Sequence, residues 1–313
     1  MASIKSLQDG LAEAFFGIGR LLPASQGSST TLIFAQLALH LRSDFAPAQM
    51  LIAEVYESLQ RPLDAFQAYK RVNNSSIYSW TARIRQAASL AELNRVDESA
   101  DMLLKMIQQK KNSADAPATL GDIFRSAERY LEAIEAYNLA IFRTKIFRSF
   151  HWRLFYSRGV SLERTQDWSG AEADFLKALE LSPDQPLVLN YLGYSWLEQG
   201  INLVRAKAMI KKAVSLRPND GYIVDSLGWA FFLTGDFQSA VQHLERAVEL
   251  MPDDPIINDH LGDVFWESGR RIEARFQWQR ALILGADGEV KEEIGYKLKQ
   301  DLNSDFQIRD NAL

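Results

Sequence analysis

Few residues in this chain could do chemistry, and their spacing is wrong for it. The 313 residues include four histidines, His40, His151, His243 and His260, and no cysteine. The histidines form no HExxH or other paired-ligand spacing. Without cysteine there is no disulfide, thiolate metal site or thiol nucleophile. "FGIGR" at 16–20 contains GxG, but inside a helical pattern rather than after a strand, so it does not read as a dinucleotide loop. "GSSTT" lacks the lysine of a phosphate loop, and no GxSxG elbow occurs. Carboxylate pairs such as Asp253–Asp254 fall between periodic segments, where they would cap helices. No catalytic residue, cofactor or metal ligand is therefore expected, and the chain reads as non-enzymatic.

Composition is that of an ordinary folded protein, 47% hydrophobic and 24% charged. A net charge of −5 makes no general case for nucleic acid or anionic membrane as partner. No apolar stretch is long enough to span a bilayer. Lys5, Asp9 and Glu13 interrupt what would be the apolar core of a signal peptide. As written the chain is expected in the cytoplasm, or associated with the envelope if it is a fragment lacking an N-terminal signal.

What must position any functional residue is a repeat. Leu120-Gly121, Leu192-Gly193, Leu227-Gly228 and Leu261-Gly262 each open a matching pattern, and Arg158-Gly159 joins them. Alanines follow twelve or thirteen residues after the glycine and again seven later, as in Ala240 and Ala247. Weaker copies toward the N-terminus key on Gly19, Ala53 and Ala88. Eight units with a period near 34 residues predict helical pairs. Within "SAVQHLERAVEL", Ala240, Val241, Leu244, Ala247 and Val248 make one apolar helix face. The small keyed residues let two helix backbones approach. "SPDQP", "RPNDG" and "MPDDP" separate the pairs; "LTGD" and "ESGR" turn within them. No segment alternates with period two, so no strand is predicted.

This pattern resembles the tetratricopeptide repeat (TPR) family over residues 12–286. The resemblance implies an all-α, right-handed superhelical α-solenoid of eight helix-turn-helix repeats. A charged segment with Val290, Ile294 and Leu298 four apart predicts a capping helix at 287–302, followed by a flexible tail at 303–313. The repeats containing "NYLGYSWLEQGINL", "DGYIVDSLGWAFFLTGD" and "INDHLGDVFWESGRRIEA" are also similar to those of bacterial envelope TPR proteins, including lipoprotein adaptors.

In the family, the first helix of each pair lines a concave groove that receives a protein segment. The matching positions in repeats six to eight include Asn190, Tyr194, Tyr222, Asp225, Trp229, Phe232, Asp259, Asp263 and Trp266. Residues 219–269 hold ten acids and one base, Arg246. An aromatic, acidic groove suits a partner with basic and apolar anchors. Where one family subtype clamps a C-terminal carboxylate with cationic and amide side chains, this chain has Asp225, Asp259 and Asp263, which disfavours an acidic tail.

The repeat breaks at "AIFRTKIFRSFHWRLFYSRG", where four extra residues mix cations with aromatics and no acid. One reading is a helix pair one turn longer; another is a second contact through Arg148, Trp152 and Arg153. The chain reads as a protein-binding scaffold with no nucleic-acid partner and no direct membrane insertion; the alternatives are the regulatory or targeting part of a larger enzyme and an RNA-binding helical repeat using residues 142–158.

Overall fold

A computed structural model describes the backbone of residues 4–22 and 24–310 and the side chains of residues 4–22 and 28–299. It forms two compact units, residues 1–174 and 175–313. Among the described residues there are seventeen α-helices and no strand. They are α1 Leu7–Leu21, α2 Ala24–Leu41, α3 Ala46–Ser58, α4 Pro62–Lys70, α5 Ser79–Glu92, α6 Val96–Gln109, α7 Asp115–Ser126, α8 Tyr130–Arg143, α9 Trp152–Arg164, α10 Trp168–Leu181, α11 Pro186–Glu198, α12 Leu203–Leu216, α13 Gly221–Leu233, α14 Phe237–Leu250, α15 Pro255–Glu267, α16 Arg271–Ile283 and α17 Gly288–Asp310. They run as eight hairpins, α1/α2 to α15/α16, followed by α17. Within each unit, first helices of adjacent hairpins also touch, α5 on α7 and α7 on α9 in one, α11 on α13 and α13 on α15 in the other.

The hairpin turn is built the same way seven times. Gln60, Asn94, Glu128, Gln166, Gly200, Gly235 and Gly269 take left-handed backbone, with φ between 50° and 80°. The next residue's amide then donates to the carbonyl five residues back: Arg61 to Tyr56, Arg95 to Leu90, Arg129 to Phe124, and so on to Arg270 on Phe265, at 2.8–3.0 Å. This closes the helix end and satisfies a carbonyl that would otherwise be orphaned. Only three of the seven are glycine, so the others carry the left-handed cost of an L-residue. Glu128→Gly is therefore expected to raise stability by up to about 1 kcal/mol in urea unfolding, since Glu128 gives up no packing there.

Each left-handed residue stands seven after the keyed small residue, or would if the third repeat were keyed on Ala87. The structure makes that correction. Ala87 is fully buried and Ala88 only half-buried. The Ser99 hydroxyl donates to the Ala87 carbonyl at 2.6 Å, as Thr31 does to Gly19 at 3.2 Å. Ala88 aligned with Ala100 by residue type alone; closeness of approach selects its neighbour.

The small residue makes room for a plug sixteen positions on, seventeen where the sixth turn carries its extra residue. Tyr69, Leu103, Tyr137, Ile210, Leu244 and Trp278 are all essentially buried. An ideal Cβ on Gly121 would sit 2.6 Å from the Tyr137 ring, and one on Gly193 2.8 Å from Ile210. In the plugs Tyr137 and Trp278 the polar head donates to the residue after the glycine: Tyr137 hydroxyl to Asp122 at 2.7 Å, Trp278 Nε1 to Asp263 at 2.9 Å. A buried donor thus finds its acceptor.

The break after repeat four is not an extension of helices. α8 and α9 have ordinary lengths of 14 and 13 residues. The extra residues instead form the connection at 144–151, which ends in a 3-10 turn at Ser149–His151. α17 packs against α16, and its Ile294 is fully buried. Its helical backbone continues through Asp310, past 302, and residues 311–313 lie outside the described residues.

Candidate protein-binding face

α11, α13 and α15 each begin at a defined start. Pro186 and Pro255 occupy first-turn positions, where the missing amide costs nothing. Asp220 caps α13 through the Ile223 amide, and Asp254 caps α15 through Ile256 and Ile257 at 3.0 Å. These residues fix where each helix begins. Leu227 and Phe231 then go inward, 3% and 8% exposed. The nine sequence-predicted residues lie on these three helices with unequal exposure.

Tyr222 is exposed, and slight burial with the neighbouring Asp254 carboxylate pushes its hydroxyl up. Asn190 is half-buried, and its Oδ1 has no hydrogen-bond partner among the described residues. Tyr194 is half-buried against Glu198, and burial and the neighbouring carboxylates of Glu198 and Asp225 push its hydroxyl up. Trp229 lies between two rings: Phe232 at 4.7 Å and His260 at 4.2 Å, nearly parallel to the latter. Its Nε1 donates to Glu198 at 2.8 Å. Asp225 is buried and holds His260 Nδ1 at 3.0 Å. A continuous polar and aromatic chain thus runs from α11 through α13 to α15.

Asp259 is buried and Asp263 half-buried, and the Lys297 ammonium of α17 bonds both, at 3.1 Å and 2.8 Å. Trp266 is half-buried 5.5 Å from Trp278, with the Arg271 guanidinium 4.5 Å above its ring. Phe232, Asp263, Trp266, Glu267, Trp278 and Lys297 line a cleft of about 240 Å³.

The electrostatics follow from these pairings. Burial pushes the Asp259 carboxyl up to about 6; Asp263 adds to this, and Lys297 and His260 oppose it. Burial works against charge on His260, but Asp225, with Asp259 and Asp263 beyond it, outweighs burial and raises its pKa. Lys297 is likewise raised: burial opposes its charge, and Asp263 and Asp259 outweigh it. The three aspartates that the sequence presents to a partner's cations are therefore already compensated from within. Glu267, exposed on the cleft rim, makes no ion pair among the described residues.

Sequence reasoning missed His260, Lys297 and Trp278. The period itself held a signal for one: Lys297 stands 34 residues after Asp263, at the groove-facing place of a ninth first helix. The second predicted contact divides. Arg148 and Arg153 are exposed, but Trp152 is buried, 5.8 Å from the Tyr156 ring, and is a packing residue. Arg158 grips Asp174 with two bonds at 2.7 Å, and Arg143 donates to the carbonyls of Ile107, Lys110 and Ser113. Among the described residues no group of three or more His, Asp or Glu is placed to hold a metal ion.

A tetratricopeptide repeat family model matches residues 118–186 and 226–289. The TPR repeat-containing protein PA4667 of Pseudomonas aeruginosa is 28% identical over 202 residues, covering 62% of this chain. The match spans about a third (32%) of that relative's own length. Among solved structures, the Cut9–Hcn1 hetero-tetramer of the APC/C superposes with TM-score 0.65 at 14% identity, over 94% of this chain and 56% of that one. A TPR protein from Parabacteroides merdae superposes at TM-score 0.58 and 15% identity, over 79% of this chain and 95% of that one. At such identities the likeness is one of fold. The family model thus identifies residues 118–186 and 226–289 as tetratricopeptide repeats, and the 34-residue period, the repeated hairpin turn and the small-residue contact are similar in the other hairpins.

Proposed function

We propose that the chain is a non-catalytic scaffold that holds a segment of another protein against the face formed by α11, α13 and α15. The observation that carries this is the cleft of Phe232, Trp266 and Trp278 with Glu267 on its rim, in line with exposed Tyr222 on the same set of helices. Aromatic side chains held in place by stacking and ion pairs lose little freedom on binding, so they suit an anchor pocket. The partner segment carries an apolar anchor for the cleft and a basic residue for Glu267, with Glu198 a second acid along the face. Because Asp225, Asp259 and Asp263 are internally paired, they orient the aromatics rather than meet the partner.

The test is direct. Peptides of mixed basic and apolar sequence are titrated by fluorescence anisotropy against wild type and a Tyr222→Ala/Trp266→Ala/Glu267→Gln variant whose helicity and melting are verified. The variant is expected to lose at least about tenfold in affinity for peptides that bind wild type. Unchanged binding of every such peptide by the folded variant would refute this face.

A further inference from the structure

A second surface lies at one end of the unit formed by residues 1–174, where α4, α6 and α8 hand over to α5, α7 and α9. Because helices joined by short turns run antiparallel, these three connections share one end. Contacts show them adjoining. Lys110 of the second connection sits 4.2 Å over the Trp80 ring just after the first. Arg143, entering the third, bonds the carbonyls of Lys110 and Ser113 in the second.

Two properties coincide there. Large apolar side chains project into solvent: Ile77 is 89% exposed, Phe142 86%, Ile146 74% and Phe150 60%. Every connection also carries exposed cations, Lys70 and Arg71, Lys110 and Lys111, Lys145 and Arg148. Residues 65–91, 102–114 and 136–162 contain no Asp or Glu, in a chain of net charge −5. Two exposed acids adjoin this end: Asp115 at the start of α7 accepts from Ser113, and Asp44 in the α2–α3 connection pairs with Arg42.

A groove-binding peptide would need concave walls, whereas these side chains stand out on the tips of turns. Single-stranded nucleic acid would use ring faces, but Ile77 and Ile146 have none, and the Phe150 ring already lies 4.1 Å from His151. Projecting aliphatics and aromatics ringed by Lys and Arg match a surface that is anionic outside and apolar just beneath. We propose that this end of residues 1–174 is a peripheral contact for an anionic phospholipid bilayer, with Ile77, Phe142, Ile146 and Phe150 entering the headgroup boundary and the cations meeting lipid phosphates. Nothing needs to span: no described helix is long and apolar enough to cross a membrane.

The experiment is co-sedimentation of the full chain with vesicles of phosphatidylcholine alone and of phosphatidylcholine containing about a third phosphatidylglycerol, at low and physiological ionic strength. Wild type should sediment with the anionic vesicles and not with the neutral ones. Ile146→Ser/Phe150→Ser and, separately, Lys145→Glu/Arg148→Glu should each weaken partition by about tenfold or more at unchanged melting temperature; both pairs are exposed, so folding should survive. No partition into anionic vesicles at low ionic strength would overturn the proposal. So would vesicle binding untouched by Ile146→Ser/Phe150→Ser and matched by equal affinity for an acidic peptide or single-stranded RNA, since the end would then be a general polyanion contact.

Discussion

Gly228→Ala is expected to destabilise the protein by about 1–3 kcal/mol, while Gly17→Ala stabilises it by up to about 1 kcal/mol. Both glycines lie inside helices, where alanine normally gains. Tertiary contact decides the sign. A Cβ on Gly17 would meet nothing within 4 Å, so propensity acts alone. One on Gly228 would stand 2.6 Å from Leu244 Cγ and 3.2 Å from the Leu244 amide nitrogen. Cγ is the branch point of a fully buried side chain and the amide belongs to α14, so neither yields by a rotamer change. Relief requires α13 and α14 to separate. Urea unfolding of both variants is the measurement, and stabilisation by both would show that the hairpin contact is loose.

Lys297→Met should cost about 2–4 kcal/mol at pH 8 and clearly less at pH 5. The methionine keeps the apolar stem and removes the charge that Asp259 and Asp263 share. At pH 8 two carboxylates are then left facing each other with little water; at pH 5 Asp259 holds its proton and the repulsion fades. The wild type has a related pH dependence. Asp259, raised from its ordinary 3.8 to about 6, contributes stability that is complete below pH 4 and lost as pH rises through about 6, on the order of 2–3 kcal/mol. His260, raised above 6.5, acts in the same direction: its share is complete below 6.5 and disappears as pH climbs through its folded value. Asp236 and Glu273 work oppositely, held low by bonds from the Ser239 hydroxyl and amide and by a backbone amide together with Arg270 respectively, so their share is lost in acid. His151 and His243, held low chiefly by burial, also work oppositely and within this range, so the measurement is comparative: Asp259→Asn should lose less stability than wild type between pH 5 and pH 8. A Lys297→Met variant equally destabilised at both values would mean that Asp259 does not titrate in this range.

The repeat was legible because helical hairpins impose small residues, turns and apolar faces at spacings set by the chain itself. Which residues share a helix face was legible for the same reason, since position along a helix selects a face. The third key was misplaced by one residue because Ala87 and Ala88 are the same type, and only the partner helix distinguishes them. Trp152 was misassigned because an aromatic beside arginines looks the same in sequence whether it packs or projects.

The sequence by itself determined the all-α hairpin array, its period, its chain turns and the faces of its helices, all local consequences of residue type and spacing. Only the tertiary structure decided which charges on those faces remain free. Asp225 meets His260 across 35 residues, and Asp259 meets Lys297 across 38, pairings that exist only once α13, α15 and α17 lie side by side. A carboxylate's availability depends on what burial removes and which cation arrives, and neither is a property of the residue alone. That is why an acidic groove in sequence became, in the folded protein, a neutralised framework holding Trp229 and Trp266 in place, with Glu267 left on its rim.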